Sequence, residues 1–475
     1  MTLPPIIHWF RRDLRLHDNT ALNAALASGA PVVPLFTIDD ALLRSERMSA
    51  ARLQFMLDGL TALDQSLRQR GSRLLIRRGD PVVQLAEVAA ELGAVAVYFN
   101  RDYSPFAHQR DGRLAGSLGM PVHAYDDLLV HAPGEVLKGD GEPFIVFTPF
   151  MRQWSALPKP LTEDPPAEGH FHPLTSIDSL PLPTLEQLGF SSSVMLPRAG
   201  EAEALKRLDG FAAAAIYDYR ERRNLLVADP YAGDPPPGTS YLSPYLHLGM
   251  LSPRAAYQAA VSAQEAAPTE ARGQSAQTWI NELAWREFYT HILYHFPHVA
   301  DSSFRPEFDR VPFRSDRAGL EAWKAGMTGY PVVDAAMRQL AHTGWMHNRA
   351  RMIVASFLSK DLLIYWREGD LHFMQHLIDG DLAANNGGWQ WAAGTGTDAQ
   401  PYFRIFNPVL QSKKFDPDGA YIRRWVPDLR DVPDRYLHAP WEMPIPPRAY
   451  PAPIVDHGAA REAALSAYST IRQYS

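Results

Sequence analysis

The chain has 475 residues, 46% of them hydrophobic and 21% charged, a formal net charge of −7 and no cysteine. That length exceeds what one core usually supports, so two domains are expected, and the composition is that of an ordinary globular protein. The missing cysteines exclude disulfides, thiolate metal ligands and cysteine nucleophiles, and the negative charge argues against a surface coated for nucleic acid, though not against a local basic groove.

In the first third, short apolar runs at 6–10, 32–38, 73–77 and 94–99 read as buried strands. Helices lie between them. Ser49 can cap one whose Leu53, Leu57, Leu60 and Leu67 recur on a single face, and Asp80-Pro81 is a cap followed by proline at the first helical position. Such alternation implies a doubly wound parallel sheet with right-handed crossovers, placed at residues 1–130. Neither G-x-G-x-x-G nor a Walker loop occurs, so this domain carries no dinucleotide or nucleoside-triphosphate signature.

Prolines at 158, 160, 165, 166, 173, 181, 183 and 197 preclude a long helix and make 155–200 an extended stretch within a 131–200 connector. Beyond it strand patterns vanish. Helical spacing at 201–219, 278–296, 332–343, 347–366 and 459–474 predicts an all-α domain over 201–475.

Four segments stand out in that domain. Thr239-Ser240-Tyr241-Leu242-Ser243 offers hydroxyls just before a helix, a natural phosphate site, although serine and threonine cap helices everywhere. In 279–289, Glu282, Arg286 and Tyr289 share a helical face; spacing alone fits a solvated ion-pair stripe, while the flanking Trp279 and Trp285 make the glutamate useful for hydrogen bonding or proton transfer. In 344–352, Asn348 and Met352 share a face beside Arg349 and Arg351, and His347 has no partners spaced for a metal. The run 379–408, DGDLAANNGGWQWAAGTGTDAQPYFRIFNP, sets Asp379, Asp381, Asn385, Trp389, Trp391 and Arg404 among glycines and small residues, unlike a core segment.

These segments, with the opening His8-Trp9-Phe10-Arg11-Arg12-Asp13-Leu14-Arg15-Leu16-His17-Asp18-Asn19, resemble the DNA photolyase/cryptochrome family over nearly the whole chain, failing mainly in the proline-rich connector. The pattern is most similar to a class I cyclobutane-pyrimidine-dimer photolyase. The resemblance implies FAD held by Tyr219, Thr239, Ser240, Tyr241, Leu242, Ser243, Trp279 and Asp379-Gly380-Asp381. It implies Arg351 pairing with Asp379, and Asn385 facing flavin N5. A flipped-out dimer in ultraviolet-damaged DNA would meet Glu282, Trp285, Asn348, Met352 and Trp391, with Arg223, Arg286, Arg349 and Arg404 on phosphates and grooves and Tyr289 nearby. Reduced flavin would donate an electron to that dimer under near-ultraviolet or blue light, with Glu282 stabilising the charge.

Rival readings are a cryptochrome photoreceptor, a six-four photolyase, or a flavoprotein using neither DNA nor light. Asn385 in place of an acid and no C-terminal effector tail oppose the first; Asn348 in place of a histidine opposes the second. No apolar run spans a bilayer and MTLPPIIHWFRRDLR has no signal-peptide core, so a cytoplasmic monomer is expected. For a second, antenna pigment, Phe106 and Ala107 stand where folate-binding members carry an Asn-Glu pair, which favours 8-hydroxy-deazaflavin, FMN or an empty site over folate. One departure concerns the family's tryptophan relay to the flavin. Trp389 and Trp366 match its proximal and middle members, but Phe313 stands at the distal position, leaving Tyr365, Tyr421 and Trp425 as candidate substitutes.

Overall fold

The structure is a computed structural model, and it describes residues 3–473 apart from 167–168, 176 and 227–237. Five strands, β1 (Ile6–Phe10), β2 (Val32–Ile38), β3 (Leu75–Arg78), β4 (Val97–Asn100) and β5 (Val122–Tyr125), form one sheet in the order β3-β2-β1-β4-β5. Every pairing is parallel, and β1 aligns Ile6 to Phe10 with Val32 to Phe36 of β2. Both central strands are buried along their whole length, as helices on both faces require. The doubly wound sheet is therefore as the alternating pattern implies.

Two strands start later than the apolar runs suggest, at Leu75 and Val97, because pairing begins only where the neighbouring strand runs alongside. The edge strand β5 was not foreseen. Its sequence VHAY is half-buried throughout and offers no apolar run to read. The helix Ala50–Arg68 is capped by Ser49 and buries Leu53, Leu57, Leu60 and Leu67; the helix Pro81–Leu92 is capped by Asp80 and ends at Gly93 in the left-handed conformation.

The chain divides into two compact units. The first comprises Met1–Ser192, Pro197–Arg220 and Ser240–Pro297; the second comprises Ser193–Leu196, Glu221–Thr239 and His298–Ser475. The expected division at 130 and 200 follows composition and chain order, whereas these units follow packing. Helices 201–213, 253–265 and 270–295 go with the sheet because buried polar groups tie them there. The helix Phe147–Ala156, with Phe150 and Trp154 buried, lies inside the expected connector. From 157 to 200 the described residues hold only a short 3₁₀ turn, Glu186–Leu188.

Three carboxylates make the ties of helices 201–213 and 253–265. Glu201 accepts the backbone N–H groups of Leu16 (3.0 Å) and His17 (2.8 Å). Asp127 accepts from Arg15 (2.6 Å) and Arg254 (2.7 Å), and Asp18 accepts from the Arg254 Nε at 3.0 Å. Close approach accompanies them: a Cβ on Gly249 would fall 2.0 Å from the Arg12 carbonyl oxygen, so only glycine fits there.

The second unit is helical and packs around Trp323, Val333, Met337, Ile353, Trp366 and Trp389. The helix Pro331–Thr343 falls as expected. The predicted helix over 347–366 is instead two: Asn348–Ser356 runs into a π turn, Phe357–Asp361, and a new helix, Trp366–His376, begins after Leu363 at φ 54°. A bulky residue in that backbone region is strained, and such strain persists where the surroundings over-determine it. The other helical readings were a few residues off. Helix 270–295 starts eight residues early, capped by Thr269, and helix 201–213 stops short of Tyr219. No helix of the described residues is long and apolar enough to cross a membrane.

Removing Arg254 would take the arginine partner from the buried Asp18 and one of two from the buried Asp127. Arg254→Ala should therefore destabilise the fold by about 3–5 kcal/mol in chemical denaturation at neutral pH. Burial alone would raise the Asp127 carboxyl, but the charges of Arg15 and Arg254 outweigh it and hold it well below the usual range. Because the folded value is depressed, its contribution is complete above about pH 4, the unfolded carboxyl value, and fades as pH falls through the folded value. Stability that is flat from pH 6 to pH 2 in wild type would contradict this.

Candidate functional site

In the first unit the site residues sit on the 26-residue helix Glu270–His295 and on the turn before Ser243–His247. The long helix is fixed by a residue absent from the sequence reading. Glu287 is buried and accepts from the backbone N–H groups of Val130 and His131 (3.2 Å to the latter) and from the Trp154 indole at 2.6 Å. Burial pushes its carboxyl up to about 7, against the pull of those donors. A charged residue facing inward on an amphipathic helix was the only signal available, and sequence gives no partner for it.

With the helix so held, Trp279 is buried against Phe211 (5.3 Å), and Tyr219 meets the same phenylalanine edge-on. Glu282 is half-buried. Trp285 stacks on Phe147 at 3.7 Å and lies 5.5 Å from Tyr289. Arg286 is half-buried, and its guanidinium donates to the carbonyls of Leu128 (2.8 Å) and Leu246 (3.3 Å), which holds it against the fold. Ser240, Tyr241 and Leu242 are buried, Ser243 opens the short helix, and Tyr241 holds φ 53°. A non-glycine residue in that backbone region is strained, and such strain clusters at ligand sites.

In the second unit, Arg351 pairs with Asp379 through Nη2 at 3.0 and 2.8 Å, and donates from Nε to the Met346 carbonyl. Gly380 is buried beside that pair in sequence, and Asp381 caps the helix Leu382–Ala393 by accepting from Ala383 and Ala384. Asn385 is buried. Its amide nitrogen donates to the Asp370 carbonyl (3.0 Å) and carboxylate (2.7 Å), leaving its oxygen as the accepting end. One turn on, Trp389 packs against the neighbouring helix, where a Cβ on Gly369 would be 2.0 Å from its ring. Its Nε1 is buried with no hydrogen-bond partner.

Three arginines gather on the same unit. Burial, and then the charges of Arg349, Arg351 and Arg223, push the buried His347 down to about 3, so it stays neutral. Its Nδ1 can then accept the Arg349 N–H and cap the helix Asn348–Ser356. Arg349 also donates to Asn224 at 2.6 Å and stacks over Phe415. Asn348 and Arg404 are exposed, and Met352 and Trp391 are half-buried. Histidine at a cap is common enough that spacing alone does not flag it. Thr239, by packing, belongs to this unit.

Within the second unit, the Arg351–Asp379 pair and the oriented Asn385 carboxamide offer one fixed positive charge and one hydrogen-bond acceptor, groups that suit the polar edge of a flavin ring. Among the described residues no cluster of histidine and carboxylate side chains suits a metal.

Comparison with known proteins agrees. Residues 279–470 match the model of the FAD binding domain of DNA photolyase, and residues 6–168 match the DNA photolyase model. The chain belongs to the DNA photolyase/cryptochrome family. Within it, a deoxyribodipyrimidine photo-lyase of Synechococcus sp. is 45% identical over 98% of this chain and 97% of the relative. A class III photolyase structure from Agrobacterium tumefaciens superposes with a TM-score of 0.90 at 38% identity, covering 100% of this chain and 98% of that one. A photolyase structure from Sulfolobus tokodaii, described with two FAD molecules, gives 0.84 at 34% identity, covering 98% and 100%. The motifs resemble class I while one neighbour is of class III, so family membership is what these likenesses establish.

The contact between Trp389 and Gly369 is directly testable. Gly369→Ala forces a methyl into the indole and should cost about 1–3 kcal/mol, with a shift in tryptophan fluorescence. Gly388→Ala, at a position of the next helix where a Cβ meets nothing within 4 Å, should be neutral or stabilise by up to about 1 kcal/mol. Equal effects from the two would refute the packing described.

Proposed function

We propose that this chain is a light-dependent DNA repair enzyme that splits cyclobutane pyrimidine dimers. Asn385 carries the reading. With its nitrogen committed to Asp370, its oxygen is presented to accept a hydrogen, which suits the N5–H of a reduced flavin. An acid there would fit a different protonation state.

FAD would be held by Tyr219, Trp279 and Ser240 to Ser243, with Thr239, on its phosphate and adenine portions, and by Arg351, Asp379, Gly380, Asp381 and Asn385 around the isoalloxazine. When bound and reduced, FAD supplies the electron that light drives into the dimer. The protein's part is positional. Asp379 keeps the Arg351 guanidinium in place as a fixed positive charge, and Asp370 fixes the Asn385 rotamer. Glu282 hydrogen-bonds the thymine carbonyls of the extruded dimer, and the Trp285 and Trp391 rings offer it stacking surfaces. Arg223, Arg286, Arg349 and Arg404 take phosphates and groove contacts, and Arg286 also holds its helix. The protein works as a cytoplasmic monomer.

The antenna pigment is an 8-hydroxy-deazaflavin or FMN in preference to folate. Phe106 and Ala107 offer no carboxylate to a pterin, whereas the buried Thr37 Oγ1 and Asp39 Oδ2 at the end of β2 have no hydrogen-bond partner and suit a polar ring edge. The crevice between the ends of β1 and β4, by contrast, is closed by Arg11 over Trp9 and Phe99 to a void of about 10 Å³. Chromophores extracted from protein made in its native host should include no stoichiometric folate; finding it would overturn this assignment.

The function is tested by illuminating purified, reduced protein with oligonucleotides bearing either a cyclobutane dimer or a six-four product. Restored thymines should come from the first alone. Repair of the six-four product, or of neither, would refute the reading. Glu282→Ala should retain FAD but lose about 1.5–3 kcal/mol of lesion stabilisation, seen as fewer dimers repaired per absorbed photon.

A further inference from the structure

Trp389 and Trp366 are both buried in the second unit, and the Trp389 ring lies against Gly369, three residues along the helix that Trp366 opens. Oxidised flavin, once photo-excited, is a strong one-electron oxidant, and buried indoles beside it are its ready donors. An indole radical so formed returns its electron to the flavin unless a further donor fills it first. What lies beyond Trp366 therefore decides whether light can reduce the cofactor.

The Trp366 indole N–H donates to the Ser303 Oγ at 3.2 Å. Ser303 in turn donates from Oγ to the Asp309 Oδ1 at 2.6 Å. The same Oδ1 accepts the Tyr365 phenol at 2.8 Å. Tyr365 is half-buried with its ring 5.6 Å from that of Trp366, and Asp309 is exposed. One surface carboxylate thus receives hydrogen bonds that originate on two adjoining oxidisable rings. The strained Leu363 and the π turn before it set Tyr365 and Trp366 in this position.

We propose that Tyr365 is the terminal electron donor of this chain's aromatic path, with Asp309 as its proton acceptor. Tyr365 gives one electron to the Trp366 radical cation and its phenolic proton to the Asp309 carboxylate. The products are neutral Trp366, a neutral tyrosyl radical and a protonated Asp309, and an external thiol then reduces the tyrosyl. The proton transfer is what makes the step favourable, because a phenol that keeps its proton is a poor donor. Burial and the hydrogen bond to Asp309 both hold the Tyr365 phenol protonated until it is oxidised.

The competing aromatics lack this arrangement. Phe313 packs on Tyr365 at 5.2 Å and has no proton to give. Tyr421 donates to the Gln339 amide, Tyr468 to the Ala393 carbonyl, and neither acceptor takes up a proton. Trp425 is buried with its Nε1 unpartnered and its ring 6.1 Å from that of His342.

The proposal rests on the flavoprotein reading above, and flash photolysis of FAD-loaded, oxidised protein separates the two. Failure to hold FAD would refute that reading and this inference together. If flavin is held, wild type should show a tryptophan radical decaying into a neutral tyrosyl radical, more slowly in heavy water. Tyr365→Phe, which keeps the ring packing, should lose the tyrosyl signal and most of the lasting photoreduction. Asp309→Asn should lower the tyrosyl yield and abolish the heavy-water effect. With flavin bound, an unchanged tyrosyl signal in Tyr365→Phe, or no tyrosyl signal in wild type, would overturn the inference.

Discussion

A buried carboxylate is costly unless its lone pairs are occupied, and in both units that cost decides where the functional helices lie. Glu287 has its oxygens filled by two backbone N–H groups and an indole, and these come from a loop and a helix that the long 270–295 helix must therefore face. Losing the set would leave a buried carboxyl group without partners, at about 1–3 kcal/mol for each unsatisfied group. Trp279, Glu282 and Trp285 inherit their direction from that anchor. Asp379 and Asp370 do the same for Arg351 and Asn385. In the second unit Asp334 collects Thr328, Gly329 and Tyr450, and Asp416 collects the backbone of Tyr421 and Ile422.

The helix Leu382–Ala393 shows why such anchoring is needed. Two asparagines and two glycines make it a weak helix by propensity. It forms because Asp381 caps its start, Gly394 ends it in the left-handed conformation, and Trp389 buries itself against a glycine opposite. Asn386 and Gln390 add hydrogen bonds to the Val299 carbonyl. Tertiary contacts thus hold rigid a segment whose composition alone would leave it loose, and rigidity is what orienting a cofactor demands.

The parallel sheet was legible in the sequence because its central strands are buried on both faces and read as apolar runs, whereas β5 was not, being half-exposed. The capping by Ser49 and Asp80 follows from short-range chemistry that sequence carries, whereas the Arg351–Asp379 pair, between residues far apart in the chain, was expected from the family resemblance alone. The structural part that Arg286 plays was not legible, because nothing local reveals that carbonyls 158 and 40 residues away would hold its guanidinium. The break at Leu363 was hidden for a similar reason: the apolar pattern continues through it, and only packing forces the strain. Ser303 and Asp309 carry no motif at all. Their meaning appears only when the fold brings them to Tyr365 and Trp366.

The claim at the centre of this account is that light absorbed by a reduced flavin does the repair, with the side chains supplying position and charge. The measurement that bears on it most directly is the wavelength dependence of dimer repair by fully reduced holoprotein stripped of any antenna pigment. The account predicts that repair per incident photon follows the absorption of the reduced flavin and vanishes in the dark. Repair that proceeds in the dark, or that ignores the flavin's absorption, would contradict it.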